Sequence, residues 1–177
     1  MKKLLVVAMM LVAMMSFAQD KKFGLDVAGE FAMPMGDAAD VAGMGFGATV
    51  KGYYPINEQM DVTGKTGYLY FLIHEDKDDD GFDSFNYYQI PFMVGGRYKV
   101  TPEFYGMVEL GMTMIGWTID PEVPARGLES DSEMDFTFGL GAGYIMNQFD
   151  FSAYYNSIQT DGDSFDHFGL RVGYKFM

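Results

Sequence analysis

The side chains of this sequence that could do chemistry fall into three groups. The first is the acidic run Asp76-Lys77-Asp78-Asp79-Asp80-Gly81-Phe82-Asp83. Asp76, Asp78, Asp80 and Gly81 match the opening of an EF-hand loop, whose alternate oxygens wrap a calcium ion. The twelfth position would be Tyr87 instead of the bidentate Glu, and no helices are expected on either side. A solvated acidic loop is the simpler reading, with Asp76, Asp78 and Asp80 kept as calcium candidates. The second group is the two histidines, His74 near the outer rim and His167 at the outer start of the last strand. Ser84 or Ser164 could approach one of them, and a Ser–His–acid set would make a hydrolase. Neither histidine has the sequence neighbourhood of such a site, so no catalysis is expected, and no cofactor either. The third group is twelve charges on alternating segments. Asp26, Glu30, Asp61, Glu109, Asp135 and Asp150 oppose Lys51, Lys65, Arg97, Lys99, Arg171 and Lys175. Six acids beside six bases could be a proton or ion path. The simpler reading is a salt-bridge network that fills a closed lumen and ties strands together, because buried charges demand partners.

Which reading holds depends on the elements that carry these charges. Eight runs alternate with period two: 22–33, 44–54, 60–72, 87–100, 104–117, 134–145, 149–156 and 167–177. They are filled with aromatic and β-branched residues and separated by turn residues, the signature of strands. Successive side chains on a strand point to opposite faces. In the fourth run Gln89, Arg97 and Lys99 share one face, against Tyr88, Ile90, Phe92, Val94 and Tyr98 on the other. In the last, His167, Arg171 and Lys175 oppose Phe168, Leu170, Val172, Tyr174 and Phe176. Every charge within the eight runs keeps to one parity, a parity rich in glycine, with Leu69, Phe71 and Tyr105 as bulky exceptions. An eight-stranded interior is just wide enough for side chains. The large apolar rows must then face outward, which only lipid tolerates. Most runs hold 10 residues or more, against the ~9–11 needed to cross hydrocarbon at a tilt. The seventh is shortest. Trp117 and tyrosines near strand ends suit interfacial girdles.

The connections alternate in length. Residues 34–43, 73–86, 118–133 and 157–166 form the longer ones, and 55–59, 101–103 and 146–148 the shorter. Short periplasmic turns and long external loops are the pattern of an outer-membrane barrel, with both termini on the short-turn side.

The N-terminus reads as an export signal. Lys2 and Lys3 precede the uncharged apolar stretch Leu4–Met15, and Ser16-Phe17-Ala18 places small residues at a cleavage site before Gln19. Residues 1–18 are therefore expected to be a signal peptide and 19–177 a single barrel domain. Cysteine is absent, which excludes a lipoprotein anchor at that cleavage point and any disulfide framework. The formal charge of −13, more negative still without Lys2 and Lys3, opposes nucleic-acid binding and docking onto anionic lipid.

Tyr88-Gln89-Ile90-Pro91-Phe92, the terminal Gly169-Leu170-Arg171-Val172-Gly173-Tyr174-Lys175-Phe176 and the cleavage region Ser16-Phe17-Ala18-Gln19 carry a resemblance. The chain resembles small outer-membrane β-barrel proteins of the OmpA/OmpX-like superfamily, most of all the "outer membrane protein beta-barrel domain" group common in Bacteroidetes. The resemblance implies an all-β, eight-stranded antiparallel up-and-down transmembrane barrel in the outer membrane of a Gram-negative cell. It also implies recognition by the barrel-assembly machinery through the C-terminal strand, where Met177 follows the expected final aromatic. A monomer with a structural or surface-interaction role, displaying acidic loops, is the expected function. Transport of a small solute or apolar ligand is the alternative.

Overall fold

The computed structural model describes residues 23–73, 85–119, 132–160 and 162–176. They form eight strands: β1 Gly24–Met35, β2 Ala42–Pro55, β3 Met60–Ile73, β4 Phe85–Lys99, β5 Phe104–Ile119, β6 Ser132–Met146, β7 Phe149–Thr160 and β8 Asp163–Lys175. One helical turn, α1 (Ala38–Val41), lies between β1 and β2. Each strand pairs antiparallel with its sequence neighbour, and β8 returns to β1, closing the sheet into a barrel. The all-β, eight-stranded antiparallel barrel is thus the fold. No helix among the described residues is long and apolar enough to cross a membrane.

Local chemistry sets the turns at the end that holds both termini. Asn57 Oδ1 accepts the backbone N–H groups of Gln59 and Met60 at 2.9 and 2.8 Å, an Asx-type turn. Thr101 Oγ1 accepts those of Glu103 and Phe104 in the same manner. Met146 pairs with Phe149 across a two-residue hairpin, and Asn147 takes the left-handed conformation at φ 57° that such turns require. Further along, the β3–β4 ladder passes from Thr66–Phe92 to Leu69–Gln89 without pairing the residues between. Pro91 lies in that gap and has no N–H to give.

At the opposite end, two expected long loops are much shorter than the sequence suggests. The connection read as 34–43 shrinks to residues 36–41, bent by Gly36 at φ 60° and the single turn of α1. The connection read as 157–166 is mostly strand. β7 and β8 stay paired to Thr160 and Asp163, leaving only residues 161 and 162, with Gly162 at φ 94°. The seventh strand therefore has 12 residues, against 15 in β6 and 13 in β8. Residues 74–84 and 120–131 separate β3 from β4 and β5 from β6.

The barrel is polar inside and apolar outside. Phe46, Val62, Phe92, Val94, Leu110, Leu140 and Leu170 are all exposed, while Asp26, Glu109, Asp150 and Arg171 are buried. The lengthened β8 adds one departure from strict parity. Asp166 lies on the outward register, and its carboxylate accepts a hydrogen bond from Ser157. Aromatic rings ring the turn end of the outer face, where Phe104 packs on Tyr144 and Phe149 on Tyr174. At the other end Tyr68 and Tyr88 stack at 5.5 Å. In the β4–β5 register Trp117 pairs with Tyr87.

The apolar belt makes depth a testable variable. Val94, at mid-height of β4, is 66% exposed and Val100, beside a turn, 71%. Val94→Arg should cost about 2–4 kcal/mol and Val100→Arg about 0–1 kcal/mol, measured by urea titration in lipid vesicles. Equal costs at the two positions would mean that the belt does not lie in hydrocarbon.

Candidate functional site

The inward row of every strand converges on one axis, so the interior is where side chains distant in sequence meet. It is narrow because bulky residues lie opposite glycines on the neighbouring strands. Tyr154 faces Gly141 on β6 and Gly169 on β8. A Cβ at Gly169 would fall 2.1 Å from the Tyr154 ring. Phe71 likewise occupies the space beside Gly45, where a Cβ would fall 2.6 Å from its ring. The glycine-rich parity seen in the sequence is thus the space into which the interior side chains fold.

Three ionic clusters occupy the half nearer the chain termini. Arg97 bridges two carboxylates, Asp61 at 2.7 Å and Asp150 at 3.1 Å. Lys99 joins Asp61 at 3.1 Å, the Tyr105 hydroxyl donates to Asp150, and the guanidinium lies 4.2 Å from the Tyr53 ring centre. In the second cluster Arg171 pairs with Asp26 and, at 3.3 Å, with Glu30. Thr49 and Tyr154 both donate to Glu30, at 2.9 and 2.7 Å. The third is a chord across the barrel. Lys51 and Lys65 are direct cross-strand partners on β2 and β3, a like-charge pairing that is unfavourable alone. Glu109, on β5, reaches both ammonium groups at 2.8 and 3.2 Å.

Of the twelve charges picked from the sequence, ten meet in these clusters. Lys175 lies on the inward register beside them, with its ammonium 5.4 Å from the Tyr53 ring centre. Asp135 is elsewhere, on the inward row near the opposite mouth. The calcium candidates Asp76, Asp78 and Asp80, together with His74 and Ser84, lie outside the described residues. Among the described residues no group of three or more His, Cys, Asp or Glu side chains is arranged to hold a metal.

Sequence reasoning missed an apolar layer above the ions. Ala32, Leu69, Phe71, Tyr87, Ile115 and Ile158 form one buried cluster, with Phe165 packed against it. His167 belongs to this layer and not to the rim. It is 2% exposed and packs edge-on to Phe71 and Tyr154 at 5.9 and 6.1 Å. Its ring nitrogen Nε2 lies 3.4 Å from Asn156 Nδ2. Leu69 and Phe71, exceptions to the charged parity in the sequence, were the available signal for this layer.

The interior pairs should carry a large penalty when half removed. Glu109→Gln leaves Lys51 and Lys65 facing each other and should destabilise the barrel by about 3–5 kcal/mol in urea unfolding. Adding Lys51→Met should recover part of that loss. A cost for Glu109→Gln below ~1 kcal/mol would mean that the three groups do not depend on each other.

The barrel fold agrees with comparisons to known proteins. The fold matches the crystal structure of Ail, the attachment invasion locus protein of Yersinia pestis, with a TM-score of 0.61 and 17% identity over 88% of this chain and 98% of that one. The N-terminal β-barrel domain of Pseudomonas aeruginosa OprF gives a TM-score of 0.55 at 13% identity, over 86% of this chain and 97% of that one. Neisserial surface protein A gives 0.52 at 15% identity, over 86% and 95%. No curated protein matches the sequence. The family model described as "Outer membrane protein beta-barrel domain" matches residues 4–176, and the chain belongs to that family.

Proposed function

We propose that this chain is a monomeric integral protein of a Gram-negative outer membrane, exported by residues 1–18, with a structural or surface-interaction role and no catalytic activity. Its interior is read as a plug. The observation that carries this reading is the filling of the axis by buried Arg97, Arg171, Glu109 and Tyr154 below and Phe71 and Ile158 above. Eight strands leave little room beyond such side chains. Assembly would proceed through the barrel-assembly machinery reading β8, whose apolar row Leu170, Val172 and Tyr174 runs on to Phe176 just past its end. The narrower affinity with the Bacteroidetes group is part of the same proposal and rests on the sequence resemblance. Interaction with a partner would fall to the end opposite the termini, where Glu133 and Asp163 are exposed. Ail has been crystallised with the heparin analogue sucrose octasulfate, but an acidic mouth does not suit a polyanion here.

Planar-bilayer recording tests the plug directly. The purified protein should give no reproducible open-channel steps, whereas stable ohmic conductance would replace the structural reading with transport. Heat-modifiable gel migration, with a faster band for the unheated sample, checks that the recorded material is a closed barrel.

A further inference from the structure

The charges of the interior are segregated along the axis. Each described cation (Lys51, Lys65, Arg97, Lys99, Arg171 and Lys175) lies in the half nearer the chain termini, below the apolar layer. Above it, at the other mouth, Glu133, Asp135 and Asp163 border a cavity of about 300 Å³. Tyr87, Ile115 and Phe165 also line it, and they belong to or pack on the apolar layer. The cavity therefore has an apolar floor and an acidic rim. Among the described residues no salt bridge engages Glu133 or Asp163.

That combination selects its occupant. An anion is repelled by the rim, and a bare, strongly hydrated cation gains nothing from the floor. A neutral apolar molecule gains nothing from the carboxylates. We propose that the mouth is a binding site for a small organic cation: a primary ammonium carried on a short aromatic or branched aliphatic body. The body would lie against Ile115 and the paired rings of Tyr87 and Phe165, whose centres are 5.1 Å apart. The ammonium would sit among the carboxylates, where the nearby ring faces also attract positive charge. The volume is at the lower end for ligand pockets, which limits the body to about one ring. The apolar layer is the floor, so the ligand is held at the mouth and not passed. The inference rests on the barrel's orientation in the proposed function but not on its structural role. Conductance tests that role separately.

The probe is 2-phenylethylammonium, titrated by calorimetry into the folded protein in detergent micelles, with neutral 2-phenylethanol as the comparison. The ammonium should bind saturably, at least tenfold tighter than the alcohol, and weaken as salt is added. Glu133→Gln combined with Asp163→Asn should cost about tenfold in affinity for the ammonium and leave the alcohol unchanged. Ile115→Trp should abolish binding of the ammonium by filling the cavity. Ala42→Leu, at another lining position, repeats that test should the first variant fail to show the heat-modifiable band. No saturable binding up to ~10 mM, equal affinity for the two probes, or binding untouched by both filling variants would each overturn the proposal.

Discussion

Hydrocarbon offers no partner to a peptide group, and every other feature of this molecule follows from that constraint. Each unsatisfied N–H or C=O in lipid costs several kcal/mol, so a sheet that crosses the bilayer must have no edge. Here the requirement is met by β8 returning to β1, with Asp26–Met35 paired residue for residue against Asp166–Lys175. Closure at eight strands then fixes the width of the interior. A narrow lumen cannot take one large side chain from every inward position, so bulky groups alternate with glycine across the strand pairs. The remaining large apolar residues have nowhere to go but outward.

The inside is filled in two chemically different ways. Near the termini the filling is ionic, with guanidinium and ammonium groups caged by carboxylates, hydroxyls and ring faces. Toward the other mouth it is aliphatic and aromatic. The boundary falls at Tyr154, whose ring takes the Lys65 ammonium at 4.5 Å from its centre and whose hydroxyl serves Glu30. Its ring edge meets His167 above. One residue thus mediates between a water-like and an oil-like interior, which is the usual use of a buried tyrosine.

How much of this could be read from the sequence depended on period. Alternation by two is an intrinsic property of strands, so the facing of Arg97, Glu109 and Arg171 was legible from residue type alone. Strand ends were not, because polar residues continue a strand as readily as they form a loop. Ser157, Gln159 and Thr160 looked like the start of a loop and are the end of β7. The dipeptide Asp161-Gly162 was the overlooked sign, being a preferred two-residue hairpin sequence. That shortening moved His167 from the rim into the packed interior. Which charges meet across the lumen was not legible at all. Lys51 and Glu109 are on strands that do not touch, and only the curvature of the closed sheet brings them within 2.8 Å.

Those cross-lumen contacts are better understood as specifying the barrel than as stabilising it. A buried ion pair returns little net free energy against its desolvation, and a hydrophobic filling of equal volume often does as well. What ions do that methylenes cannot is penalise wrong arrangements. A slip of one residue in any strand pair turns that strand's inward charges toward lipid, where a cation at mid-depth costs about 2–4 kcal/mol. A slip of two keeps every face correct, so the apolar belt cannot detect it. The ions can. Asp61 opposes Arg97 directly in the β3–β4 register, and Glu30 opposes Arg171 in the closing β1–β8 register. A two-residue shift separates both pairs and leaves charges buried without partners. The chord from Glu109 to Lys51 and Lys65 adds a check on strands that share no ladder, because its length depends on the width and shear of the whole barrel. The outer face therefore selects a lipid-facing barrel of any register, and the inner charges select this one.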